Sequence, residues 1–454
     1  MFNVKFSKSK NFKEEYCCTP IVIGKLFPIK NSDYLALTQA NGFPIIVRKD
    51  QVCTGDIMFY VSNESQIKSE FLAKNNLFAK SSFNKDKNVK GYFDNNGRVR
   101  ILKLRGEYSL GYLFSIAELQ KVYPKLEITD IRIGESFDTI NGELFVKAYC
   151  PPIKINSVRR PHEKLVKKFS CIIPEYFHFH YDTSPLNQNI NRIKPDDIIT
   201  ISLKLHGSSL IISNTKVNIP RFKSKFYLKI LPYLPKWLQF IKQEYQVIYS
   251  SRTVIKNSDL NPSVTEGYYS KDIWGDYYSL LKDYIPKGMS IYGEIFGFVT
   301  GTNTYIQSGY DYGCNSGTNK LMIYRINQDE REWEILDVYN WTINLIKEHP
   351  ELEPYIHPID ILYHGTLRER YPNININQYW HENVLKALAT DTEFKMEEQE
   401  PLCKNKVYRE GIVLRINDDP IKEAFKLKCL NFLNVESKLI DKGIVDIELT
   451  QSNY

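Results

Sequence analysis

The chain has 454 residues, of which 43% are apolar and 25% are charged, as in ordinary globular proteins. This length is sufficient for two or three domains with sizeable cores. Its formal charge of +7 permits a polyanionic partner without requiring one, and the absence of a run of about 18 apolar residues argues against a membrane span.

The cysteine pattern indicates a reducing environment. None of the eight cysteines forms a Cys-x-x-Cys pair, which argues against a zinc site and against a dense disulfide framework. We therefore expect an intracellular protein, cytoplasmic or nuclear. The segment Met1–Cys18 lacks the apolar core of a secretory signal, while organelle targeting stays open.

Residues 19–145 have the pattern of a small β-domain, because short β-type runs are separated by Asn, Gly, Asp and Ser. The runs are Pro20–Ile23, Tyr34–Leu37, Pro44–Val47, Asp56–Val61, Arg98–Leu104 and Gly111–Ile116. Alternation places Arg98, Arg100 and Lys103 near one another. Such strands are typical of an oligonucleotide-binding (OB) barrel, which holds single strands with cations and aromatic rings; a purely structural β-domain is the alternative.

A basic connector follows, opened by Pro151-Pro152. It includes a cluster of cations between Arg159 and Lys168, which is either a phosphate contact or a solvated surface. His178 and His180 have no matching ligand pair nearby, so core or turn histidines are the simpler interpretation.

From residue 196 onward, β-type runs alternate with helical spacing. Helices are predicted at Pro235–Lys242, Trp274–Tyr284 and Trp333–Lys347. This mixture predicts an α+β domain. The chain has neither a Gly-x-Gly-x-x-Gly fingerprint nor a Walker-type phosphate loop, so it offers no support for a Rossmann cofactor site or a Walker-type ATPase.

The central motif is Lys204-Leu205-His206-Gly207-Ser208-Ser209, between two β-type runs. A lysine at a strand end can point its amine into a cleft, and a nearby glycine allows close approach of the backbone to a ligand. The amine is a nucleophile only after it loses its proton, which desolvation or neighbouring cations favour. Taken alone, Lys-x-x-Gly more often marks a surface lysine beside a turn.

Further motifs provide matching chemistry. Each stands at or near the end of a β-type run: Arg252, the glycine-framed Glu294, Glu410 before Gly411, and the alternating pair Lys426 and Lys428. Three lysines and an arginine can surround a polyphosphate, while two carboxylates can hold a ribose hydroxyl and a divalent cation.

In this order the motifs resemble those of the covalent nucleotidyltransferase superfamily, which comprises polynucleotide ligases and mRNA capping enzymes. The aromatic strand Leu321–Ile326 occupies its expected place. Lys-x-His-Gly at Lys204 and Tyr-Gly-Glu-Ile-Phe-Gly at Tyr292 are similar to RNA ligases. Gly55–Val61 and the segment from Arg98 to Gly111 resemble the N-terminal barrel of Deinococcus-type RNA ligases, and His180–Thr183 also fits that group.

The resemblance implies an α+β chain of four parts. These are an OB-like nucleic-acid-binding barrel at 1–145, a basic connector at 146–195, a nucleotidyltransferase domain with antiparallel sheets and helices at 196–436, and a tail at 437–454. The segments 214–246 and 327–405 look longer or more divergent than the family minimum.

The resemblance also implies ATP as cofactor, with Mg²⁺ or Mn²⁺. Lys204 would carry AMP covalently, Lys426 and Lys428 would contact the α-phosphate, and Glu410 would take part in metal binding. The remaining residues expected to bind the nucleotide or support later steps are Arg252 and Glu294 at the ribose, Tyr324 and Val413 at the adenine, Gly207, His206 and Ser209.

The reaction implied is sealing of nicks that have a 3′-hydroxyl and a 5′-phosphate, in duplex nucleic acid with RNA on the 3′-hydroxyl side, by a monomer. Two alternatives remain. One is an mRNA capping guanylyltransferase, although such enzymes usually carry Asp where His206 stands. The other is a catalytically weak nucleic-acid-binding protein with a ligase-like core.

Overall fold

The computed structural model describes residues 4–151, 169–222, 224–257, 269, 271–329, 331–417, 419 and 423–442. Across these ranges no helix is both long and apolar enough to cross a membrane. The predicted basic cluster between Arg159 and Lys168 lies outside the described residues.

Residues 4–151 form short strands and two short helices. The strands are β1 Phe6–Ser7, β2 Cys18–Val22, β3 Phe27–Pro28, β4 Leu35–Ala40, β5 Phe43–Arg48, β6 Ile57–Val61, β7 Ser65–Ile67, β8 Ile101–Leu104, β9 Glu107–Leu110, β10 Tyr112–Ser115, β11 Thr139–Ile140, β12 Glu143–Leu144 and β13 Val146–Ala148. The helices are α1 Ser69–Lys74 and α2 Ile116–Gln120.

The pairing of these strands gives several small sheets. Their orders are β3-β4-β5, β10-β6-β2, β1-β11-β12, β8-β9 and β13-β7. The core beneath them is rich in phenylalanine, including the buried Phe59, Phe71 and Phe114. The pairings among residues 4–151 do not close into one barrel, so this region is a β-rich unit of several small sheets.

Residues 184–442 supply the larger elements. The strands are β14 Ser184–Pro185, β15 Ile198–Lys204, β16 Ser208–Pro220, β17 Ile241–Ser250, β18 Met289–Gly297, β19 Asn319–Gln328, β20 Arg331–Glu332, β21 Ile356–Pro358, β22 Ile361–Thr366, β23 Gly411–Ile416 and β24 Ala424–Lys428. The helices are α3 Leu186–Asn189, α4 Lys225–Ile230, α5 Ile273–Leu281, α6 Ile335–Glu348, α7 Leu367–Arg370, α8 Trp380–Thr390 and α9 Leu430–Asp441.

Two sheets organise this part. One has the order β14-β24-β23-β15-β22, and the other has the order β17-β16-β18-β19-β20 with β21 beside β19. Most pairs are antiparallel; β14–β24 and β19–β21 are parallel. Apolar residues of both sheets and of α8 share one core, while α5 and α6 pack on the second sheet. The predicted α+β class is confirmed.

The helix predictions fared unequally. Helix α5 with the 3-10 turn Lys282–Tyr284 occupies the stretch predicted from Trp274, and α6 occupies the stretch predicted from Trp333. The helix predicted at Pro235–Lys242 is wrong. That stretch has only a 3-10 turn at Lys236–Leu238 before β17 begins, because pairing of Ile241 with Pro220 imposes extended backbone despite the helical spacing.

Arg98 joins the N-terminal unit to the last helix. Its guanidinium is buried, with Nε 2.6 Å from Glu64 Oε2 and Nη1 2.7 Å from Asp441 Oδ1, and it also donates to Ser437. The strand alternation that places Arg98 near Arg100 and Lys103 gave no indication that its side chain would be buried. Helix α9, which receives Arg98, runs across the predicted boundary at residue 436.

Replacing Arg98 with methionine should lower the free energy of unfolding by about 3 kcal/mol, because Glu64 would stay behind without its buried cation. The control is Arg100→Met, whose side chain is 34% exposed and pairs with an exposed Asp94. That change should cost less than about 1 kcal/mol. Urea unfolding measures both, and equal losses would contradict a special role for Arg98.

Candidate active site

Strand register brings three of the predicted motifs to one end of a sheet. Lys204 ends β15, Gly411 begins β23 and Lys428 ends β24, and the pairings Lys204↔Gly411 and Gly411↔Lys428 align all three. Glu410 precedes Gly411 and lies between the two lysines. Its Oε1 is 2.9 Å from Lys204 Nζ and 3.4 Å from Lys428 Nζ.

Two glycines permit this close packing. A Cβ on Gly411, whose φ is +153°, would lie 2.1 Å from the Leu427 carbonyl oxygen. A Cβ on Gly207 would lie 2.3 Å from the Ile295 carbonyl oxygen. Gly207 instead donates its backbone N–H to Glu294 Oε1 at 3.0 Å, which fastens the lysine motif to β18. Only glycine fits either place without a backbone shift.

Glu410 is a buried carboxylate with a strongly lowered pKa. Burial raises its pKa, but the charges of Lys204, Lys428 and His206 outweigh burial and lower the pKa to about 2. The carboxylate is therefore ionised at neutral pH although its side chain is 3% exposed. Its Oε2 is buried without a hydrogen-bond partner among the described residues, and His206 Nδ1 stands 3.7 Å away.

The two lysines of β24 point away from the core, as their alternation predicts. Phe425 and Leu427 between and beside them are buried. Lys426 forms an ion pair with Glu15 of the N-terminal unit, and burial lowers the pKa of Lys426 against the opposing effect of that carboxylate.

Lys428 has a second carboxylate partner on α9. Its Nζ lies 3.4 Å from Glu436 Oε2, besides its contact with Glu410. Burial lowers the pKa of Lys428, but Glu436 and Glu410 outweigh burial and raise it above its ordinary value. Lys428 is therefore a fixed positive charge at neutral pH.

Arg252 and His180 form the other side of the site. Arg252 lies just after β17 and forms an ion pair with Asp182. His180 Nδ1 lies 3.2 Å from Ser209 Oγ and 3.4 Å from the Tyr324 hydroxyl. Burial, and then the charge of Arg252, hold the pKa of His180 well below its usual range, so this imidazole is neutral.

A cavity of about 800 Å³ connects these groups and lies between the N-terminal unit and the larger part of the chain. The predicted residues that line it are Lys204, His206, Gly207, Arg252, Glu294, Glu410, Lys426 and Lys428. Tyr324, Val413 and Ser209 are not among its lining residues. Tyr324 sits at a bulge of β19, since Tyr292 pairs with Arg325 and Gly293 with Ile323.

Sequence reasoning missed several cavity residues and supporting contacts. Glu15 lies far from Lys426 in the sequence, and nothing in its local pattern points to a site. Glu436 lies on α9, eight residues after Lys428. Tyr312 was not predicted as a supporting residue; its hydroxyl accepts a hydrogen bond from the backbone N–H of His206 at 2.8 Å.

Chemically, the cavity collects cations next to one buried anion. Lys204, Arg252, Lys426 and Lys428 can neutralise several phosphate oxygens together. Each of them contacts a carboxylate, so an arriving polyphosphate exchanges one set of anions for another. The arrangement suits a nucleotide polyphosphate.

Comparison with known proteins gives structural neighbours only. No family model matches the chain and no curated protein matches it. Among solved structures, it is similar to the RNA ligase of Naegleria gruberi with pyrophosphate, at 15% identity and a TM-score of 0.54, covering 93% of this chain and 98% of that one.

Mutant forms of the same protein match similarly. One with ATP and Mn has 14% identity, and one with AMP and Mn has 13%; each has a TM-score of 0.52 and covers 92% of this chain and 98% of the other. At these identities the likeness concerns the fold alone, which this chain shares with the Naegleria gruberi protein over nearly its whole length.

The low pKa of Glu410 predicts a pH-dependent part of the stability. A carboxyl whose pKa falls from 4.5 unfolded to about 2 folded stabilises the native state above pH 4.5, and this contribution of about 3 kcal/mol disappears as pH falls towards 2. Urea unfolding between neutral pH and about pH 3 should show a shallower dependence for Glu410→Gln. Glu107→Gln, at an exposed position on β9, should keep the wild-type slope; equal slopes for all three proteins would contradict the assignment.

Proposed function

We propose that this chain is an ATP-dependent RNA ligase that seals nicks with a 3′-hydroxyl and a 5′-phosphate in duplex nucleic acid. The observation that carries the proposal is the row Lys204–Gly411–Lys428 with Glu410 buried between the lysines. The fold supports it, because the similar Naegleria gruberi structures are RNA ligases with ATP or AMP and Mn.

In the first step, Nζ of Lys204 attacks the α-phosphorus of ATP. An N–P bond forms, the bond from phosphorus to the leaving oxygen breaks, pyrophosphate departs, and the amine gives up its proton. Lys426 and Lys428 face the α-phosphate and neutralise the charge that develops on its oxygens.

The remaining nucleotide contacts are those that the resemblance implies. Glu294, which accepts a hydrogen bond from the Gly207 N–H, also accepts one from a ribose hydroxyl, and Arg252 contacts ribose and the incoming 5′-phosphate. The resemblance assigns Tyr324 and Val413 to the adenine, although neither residue lines the cavity. His206 and Ser209 orient phosphate in the later steps, in which AMP passes to the 5′-phosphate and the 3′-hydroxyl then displaces it.

The residues present fit a divalent cation, Mg²⁺ or Mn²⁺. Oε2 of Glu410 is an ionised, buried oxygen that lacks a hydrogen-bond partner among the described residues. No group of three or more His, Cys, Asp or Glu side chains among them forms a complete metal site, so substrate phosphates and water would supply the other ligands. When bound, the ion neutralises phosphate charge, and Glu410 is the residue that holds it.

The chain division proposed is an OB-like nucleic-acid-binding unit at 1–145, a basic connector at 146–195, the nucleotidyltransferase domain at 196–436 and a tail at 437–454. The N-terminal unit contributes Lys13, Glu15 and Phe43 to the cavity wall, which supports a role for it in strand binding. We propose that the enzyme acts as a monomer on RNA at the 3′-hydroxyl side.

Incubation with α-labelled ATP and Mg²⁺ should give a covalent label on the wild-type protein and none on Lys204→Ala, because that variant lacks the attacking nitrogen. Denaturing gels measure the label. Labelling by GTP instead of ATP would identify the capping guanylyltransferase, and no label on wild type, or equal label on Lys204→Ala, would sink the proposal.

Labelled protein should then pass AMP to a nicked duplex and produce a sealed strand. Replacing the terminal 3′-hydroxyl nucleotides by DNA should slow sealing while the label still forms. A label that never reaches a nicked duplex would instead favour the catalytically weak, ligase-like binding protein.

Glu15→Gln should strengthen ATP binding in the labelling reaction. The Glu15 carboxylate contacts Lys426, where an anionic phosphate would have to displace it. Removing that competing charge should lower the half-saturating ATP concentration about fivefold, equivalent to roughly 1 kcal/mol. Glu14→Gln changes the adjacent residue of the same 3-10 turn and should leave that concentration unchanged. Weaker ATP binding by Glu15→Gln would show that Glu15 assists the nucleotide rather than competing with it.

A further inference from the structure

The hairpin β16–β17 ends in an unusual surface, residues 221–240, called here the tip. The tip lies between Pro220 and Ile241, which form the last pair of the two long strands. Five aromatic side chains of the tip are exposed: Phe222, Phe226, Tyr233, Trp237 and Phe240. Trp237 is 79% exposed and Phe226 is 75% exposed. Exposed aromatic clusters of this kind mark interaction sites more often than isolated apolar residues do.

The rings are exposed even though the tip itself is packed. Leu231 and Pro232 are buried, Gln239 donates to the backbone oxygens of Leu231 and Leu234, and Phe240 N–H donates to the Tyr227 hydroxyl at 2.8 Å. The tip therefore has its own buried anchor residues and holds the aromatic rings outward as part of an ordered surface.

The charge of this segment is of one sign. No Asp or Glu occurs from residue 198 to 243, whereas the stretch from 214 to 243 contains seven basic residues: Lys216, Arg221, Lys223, Lys225, Lys229, Lys236 and Lys242. Such a segment attracts a polyanion. Cations interleaved with exposed rings are the combination that tracks a phosphate backbone and stacks bases.

The hairpin also connects the tip to the cavity. Ser208 begins β16 beside the lysine motif, and β17 ends at Ser250, two residues before Arg252. A strand of 13 residues spans about 40 Å, slightly more than one helical turn of duplex. Lys216 of the same strand lies over the rings of Tyr176 and Tyr245, so cation–aromatic pairs continue along the arm.

We propose that the tip is a nucleic-acid docking surface that holds the substrate about one helical turn from the break, by phosphate contacts and base stacking. This deepens the proposed ligase function and rests on it for the identity of the substrate. The register of the hairpin allows a clean test, because Pro220 and Ile241 are directly paired and an Asn-Gly turn can join them.

The test compares full-length wild type with a chain in which Asn-Gly replaces residues 221–240. The probe is a fluorescent nicked duplex with about two helical turns on each side of the nick, measured by anisotropy at several salt concentrations. We expect the shortened chain to bind at least tenfold more weakly, and the slope of log affinity against log salt to fall by about 0.7–0.9 per lost phosphate contact. Unchanged affinity and slope would overturn the proposal.

Point variants separate stacking from charge. Trp237→Ala and Phe226→Ala should each weaken duplex binding about fivefold or more with little change in salt slope. Tyr379→Ala, at another exposed aromatic outside the tip, is the matched control and should bind as wild type. Arg221→Gln should reduce the slope of log affinity against log salt by about 0.7–0.9, the value for one phosphate contact. If Trp237→Ala and Phe226→Ala bind the duplex as well as Tyr379→Ala does, a stacking role is overturned.

Two further readouts keep the interpretations apart. Labelling by ATP should be unchanged in the shortened chain, which shows an intact core. If wild type does not label but still binds duplex through the tip, the ligase proposal fails and the docking surface stands. Anionic phospholipid vesicles are the second probe: tip-dependent vesicle binding with duplex binding unaltered would overturn the proposal in favour of a membrane surface.

Discussion

The arrangement of the site depends on the ionised, buried carboxylate of Glu410. Its charge is tolerated in the interior because Lys204 and Lys428 reach it from the neighbouring strands, and they reach it because Gly411 pairs with both lysines at once. Removing either the glycine or the register would leave a carboxylate without cations, which is among the costliest defects in a protein interior. The stability of the sheet end and its chemistry thus come from the same contacts.

Around this centre, charges alternate. Lys426 contacts Glu15, Lys428 contacts Glu436 as well as Glu410, and Arg252 contacts Asp182. These carboxylates come from the N-terminal unit, from α9 and from the segment before β15. They occupy the places where phosphate oxygens would be neutralised. The cavity is preorganised for anions, yet each cation already has a carboxylate partner, so binding of a polyphosphate would require an exchange of partners.

The parts of the site that the sequence predicted well are those fixed by local periodicity. The alternation of Lys426 and Lys428 against buried neighbours is visible in five residues, and the glycines beside Lys204 and Glu410 mark close backbone approaches. Glu15 could not be found this way, because its contact joins segments about four hundred residues apart. The burial of Arg98 could not be predicted for a related reason. Strand alternation gives the face on which a side chain lies but not whether a helix covers that face, and α9 covers Arg98.

The helix predicted at Pro235–Lys242 is absent because of how the hairpin β16–β17 is built. Pairing with β16 dictates extended backbone from Ile241 onward, while Pro232 and Pro235 limit helical backbone in the tip to α4 and two short 3-10 turns. Its apolar residues therefore divide between a few buried anchors and a ring of exposed aromatics, instead of forming one face of a helix. A long amphipathic helix would bury its aromatic side chains together on a single apolar surface, whereas α4 and the short 3-10 turns of the tip leave five aromatic side chains exposed, two of which, Phe222 and Phe240, pack against each other.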